Sequence, residues 1–71
     1  MAIKTIDSND PKAHARNVGR ALDELVNHLR EDIQRFREPK AQALFETGAE
    51  VLMGLRKAFE HYETSAEPAM R

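Results

Sequence analysis

Apolar residues recur at alternating spacings of three and four along most of the chain. Ala15, Val18, Leu22, Leu25, Val26, Leu29, Ile33 and Phe36 form one such stripe. A second stripe holds Ala41, Leu44, Phe45, Gly48, Val51, Leu52, Leu55, Ala58, Phe59 and Tyr62. This spacing matches the 3.6-residue period of an amphipathic helix and not the two-residue period of a strand. The pattern predicts two helices, over about residues 11–37 and 39–63.

The punctuation between the stripes agrees with that division. In "SNDP", Asp10 suits an N-cap and Pro11 suits the first helical position, where its missing N–H costs nothing; Ser8 and Asn9 are alternative caps. In "FREPKA", Pro39 pushes Glu38 toward an extended conformation. Pro39 either opens a second helix or kinks one long helix. The first is the commoner use of proline and is the reading taken. Residues 1–10 then form an N-terminal arm, 11–64 a helical hairpin and 65–71 a flexible C-terminal tail. The fold class is all-α, an antiparallel two-helix hairpin.

A lone hairpin leaves half of each stripe in water. Domains this small commonly add a metal, a disulfide or a partner, and the chain of 71 residues has no cysteine. Self-association is the simplest remedy: a homodimer, pairing two hairpins into a four-helix bundle. The dimer core is predicted from Val18, Leu22, Leu25, Leu29, Phe36, Leu44, Gly48, Val51, Leu55 and Phe59. Gly48 at the centre of the second stripe suggests close approach by another helix, because glycine there costs roughly 1 kcal/mol against alanine. Met53 points away from the stripe.

Composition narrows the function classes. The chain is 41% hydrophobic and 32% charged with a net charge of −1, a water-soluble balance. The near-neutral charge argues against broad nucleic-acid affinity. "MAIKTIDSND" has no signal-peptide pattern, and no window is apolar enough for a membrane span. A cytoplasmic location is expected.

Charge placement supplies the candidate chemistry. Lys12, Arg16 and Arg20 lie four apart on one face, at a helix start that ordinarily prefers acids. With Arg56 they form a candidate anion or partner surface. The competing reading is pairing within the hairpin. If residue i of the first helix lies level with residue 76 − i of the second, Arg16 meets Glu60, Lys12 approaches Glu63 and Arg30 meets Glu46. Arg20 is left facing Arg56. Glu24, His28 and Asp32 also lie four apart, and with Glu50 they form a candidate metal set. The competing reading is a solvated flank. Asp32, at the core edge, calls for a cationic partner, expected to be an arginine of the other subunit. His14 and His61 are expected near one another at one end of the hairpin.

No nucleophile or catalytic spacing stands out, so no enzymatic activity and no cofactor are expected. The leading expectation is a small homodimeric interaction module, an adaptor or regulator binding a protein partner. One alternative is an RNA-binding regulator using the basic face, resembling the Rop type in architecture. The other is a metal-binding bundle of the ferritin-like kind.

Overall fold

Asp10 opens the first helix. Its backbone is extended (φ −82°, ψ 114°), and Oδ1 accepts the Lys12 N–H at 3.0 Å. Pro11 occupies the first turn and the Asp10 carbonyl accepts from His14 N–H. In the computed structural model, which describes residues 3–64, helix α1 spans Pro11–Ile33 and helix α2 spans Pro39–Thr64. The two pack against each other as an antiparallel hairpin, so Pro39 starts a helix and does not kink one. The C-terminal tail, 65–71, and residues 1–2 of the arm lie outside the described residues. Residues 3–10 have no regular secondary structure and lie against α1: Asn17 Nδ2 donates to the Lys4 carbonyl at 2.5 Å.

α1 stops at Ile33, short of the predicted residue 37. Gln34, Arg35 and Phe36 donate backbone bonds three residues back, to Glu31, Asp32 and Ile33, which tightens the chain out of the α-helix. Phe36 therefore belongs to the connection. Its ring meets Phe45 of α2 edge to face, with centroids 4.8 Å apart and planes at 83°. Gln42 Nε2 donates to the Phe36 carbonyl at 2.8 Å, satisfying an acceptor freed by the end of the helix. The second helix begins when the Glu38 carbonyl accepts from Gln42 N–H.

Across the helix pair Arg16 meets Glu63 and Asp23 meets Arg56, with residue numbers summing to 79, while Leu29 lies against Gly48 (77) and Gly19 under Arg56 (75). Residue i thus lies within about one turn of 76 − i, and long side chains choose among the neighbours at that level.

Buried apolar residues among those described are few and small: Ala15, Val26 and Ala49, joined by Gly19. No large side chain is fully buried. The molecule measures 44 × 27 × 11 Å, so in one direction it is about one helix diameter thick. Among the described residues no helix is long and apolar enough to cross a membrane.

Candidate functional site

The hairpin has two unlike faces. On one, charged side chains tie the helices together. Arg16 Nε donates to Glu63 Oε1 at 2.8 Å. Arg56 Nε donates to Asp23 Oδ2 at 3.1 Å, and Arg56 Nη1 lies 4.0 Å from Glu60 Oε2. Arg30 Nη2 reaches Met53 Sδ at 2.9 Å. Arg16, Asp23 and Arg30 are seven residues apart, so they share one edge of α1 and form a ladder across the helix pair.

Arg56 has the closest packing on this face. A Cβ placed on Gly19 would lie 3.0 Å from both Cζ and Nη1 of Arg56 and 3.2 Å from Nε. The guanidinium therefore lies over α1 at Gly19, where a larger residue would make its tip move aside. Nη1 is buried there without a hydrogen-bond partner. Sequence reading missed this contact. The available signal was a glycine on the inner stripe, four residues after Ala15 and three before Leu22. The tight glycine contact occurs here, with a side chain, and not within the hairpin at Gly48, whose added Cβ would make only an ordinary 3.8 Å contact with Leu29.

The other face is apolar and open. Leu44, Val51 and Leu55 of α2 are 68%, 64% and 45% exposed. Val18, Leu22, Leu25, Leu29, Phe36, Gly48 and Phe59 are half-buried. All ten residues predicted for a dimer core thus remain at least partly accessible in the single hairpin. At the open end, Pro11, His14, Ala15, Val18, Ala58, Phe59 and Tyr62 line a groove of about 430 Å³. His14 is tied at its rim, with Nε2 2.6 Å from the Ser8 carbonyl.

The basic residues have unlike neighbours. Arg16 is paired with Glu63 and not with Glu60, and Arg30 meets Met53 and not Glu46. Arg56 faces Asp23 and Gly19, so the clash expected between Arg20 and Arg56 does not arise. Lys12 is exposed in the first turn. Arg20 is also exposed, beside Lys4, Asn17 and Glu24 around a small depression of about 100 Å³.

Of the candidate metal residues, His28 and Asp32 meet, with Nε2 and Oδ2 3.2 Å apart. Asp32 thereby has its partner one turn away on its own helix. Glu24 and His28 border a shallow depression of about 300 Å³ with Asn27 and Glu31. Glu50 is exposed on α2. Among the described residues no three His, Asp or Glu side chains are grouped so as to hold a metal ion. Comparison with known family patterns, curated proteins and solved structures finds no match to this chain.

Proposed function

We propose that the protein is a non-catalytic interaction module that works as a homodimer, two hairpins closing their apolar faces into a four-helix bundle. The observation that carries this reading is the exposed row Leu44, Val51 and Leu55 on a molecule only 11 Å thick. A stable domain ordinarily has two layers around a core, and this hairpin supplies one. The open groove has the same character. Its lining is mainly apolar, and His14 is already engaged with the arm, which suits an apolar side chain from another protein.

In such a dimer the charged edge of each hairpin stays outside, and the exposed flank of α1 with Arg20, Glu24, Asn27, His28 and Glu31 is displayed twice. That doubled surface is where an adaptor would bind a further macromolecule. The RNA alternative has less support, because Arg16 and Arg56 are committed to carboxylates. The metal alternative rests on the His28–Asp32 pair alone.

Sedimentation velocity tests the assembly. The wild-type chain is expected to sediment as a dimer at micromolar concentration. Val51→Glu, which puts a charge in the middle of the exposed row, is expected to sediment as a monomer. A wild-type chain that remains a folded monomer at that concentration overturns the reading.

A further inference from the structure

The apolar row on α2 is self-complementary when reversed. Leu44, Gly48, Val51, Leu55 and Ala58 follow spacings of four, three, four and three. Place a second copy of α2 antiparallel to the first, with the symmetry axis beside Val51. Leu44 of each copy then lies opposite Ala58 of the other and Val51 opposite itself, while Leu55 falls between Thr47 and Gly48. Each large side chain meets a small one, as knobs meet holes in close helix packing. The space left by Gly48, which the hairpin's own partner helix leaves largely unused, receives a leucine. Ala58 is part of the floor of the 430 Å³ groove, so Leu44, the most exposed of the three row residues, is aimed into it.

We propose that two copies pair α2 against α2 in antiparallel around Val51, each inserting Leu44 into the apolar groove of the other. This rests on the homodimer reading above and specifies its geometry. The row is the open part of the hairpin: Leu44, Val51 and Leu55 are the exposed large apolar residues of that face.

The competing four-helix arrangement puts the turns of both hairpins at the same end, with α2 facing α1 of the second copy. Leu29 lies against Gly48, so Asp32, about one turn further along α1, lies level with the turn of α2 that carries Leu44. A half-buried carboxylate would then be pressed onto an apolar row, at a desolvation cost the antiparallel α2 pair avoids. With α2 on α2, Asp32 does not face the apolar row, and it keeps its own His28.

The chain has no cysteine, so single introduced cysteines report neighbours directly. Under mild oxidation Val51→Cys is expected to form a disulfide-linked dimer at least ten times faster than Leu44→Cys. An equimolar mixture of Leu44→Cys and Ala58→Cys is expected to yield mainly the mixed dimer. Equal self-linking of Leu44→Cys and Val51→Cys signifies a parallel pairing and overturns the proposal. So does a protein that sediments as a dimer while Val51→Cys fails to link. If Val51→Cys links poorly and the wild type is a monomer, the underlying homodimer reading fails as well, and sedimentation separates the two cases. Val51→Ser, measured alongside, shows whether loss of the valine itself prevents assembly.

Discussion

Arg56 joins three parts of the hairpin: its Nε holds Asp23, its guanidinium covers Gly19 and its Nη1 leans toward Glu60. The ion pair is weak, because Asp23 is largely exposed and such pairs contribute about 0–1 kcal/mol. The buried Nη1 without a hydrogen bond opposes it. Packing of the half-buried Arg56 side chain over Gly19 of α1 is therefore the larger part of what it contributes. In urea titration Arg56→Met is expected to match or exceed wild-type stability, and Arg56→Ala to lose about 1–2 kcal/mol. A large loss with methionine shows that the charge dominates. At Gly19, alanine gains about 1 kcal/mol in helix propensity but displaces the tip of Arg56. Gly19→Ala is accordingly expected to be close to neutral alone. It should also abolish the effect of Asp23→Asn, which a double-mutant cycle measures. None of this is visible in sequence periodicity, which records which face is apolar and not which glycine a distant arginine covers.

At the scale of the elements, the end of α1 is decided by contacts across the turn. The apolar stripe continues at helical spacing through Ile33 to Phe36, so periodicity carries the helix too far. Phe36 instead leaves the helix to pack on Phe45, while Gln42 takes its carbonyl. Edge-to-face aromatic pairs add about 0.5–1.5 kcal/mol beyond their buried area. Phe36→Ala is expected to lower stability by about 1–3 kcal/mol and Phe36→Leu by clearly less, read from the urea midpoint. If Phe36→Ala leaves the midpoint unchanged, the turn is held by Pro39 and the Gln42 bond alone. The other helix boundaries were legible because they depend on local chemistry: Asp10 caps its own turn, and Pro39 restricts the residue before it.

For the whole molecule, the absence of any fully buried large side chain among the described residues sets the expectation for unfolding. If folding and pairing are coupled, the melting temperature rises with protein concentration. A tenfold change in concentration is expected to shift the wild-type transition, while Val51→Glu melts at a lower temperature that does not depend on concentration. Circular dichroism melts across that range check both.

Two helices and their apolar stripes were determined by the sequence alone, and the cap at Asp10 and the start at Pro39 were its leading readings, because each depends on residues within a turn or two of one another. The partners Glu63 for Arg16 and Asp23 for Arg56, the seating of Arg56 on Gly19 and the division into a charged and an apolar face were decided only in the tertiary structure. Each depends on how the two helices are set against one another. That placement is set by the five-residue connection and the Phe36–Phe45 contact, and a shift of a single turn is enough to exchange every cross-helix partner.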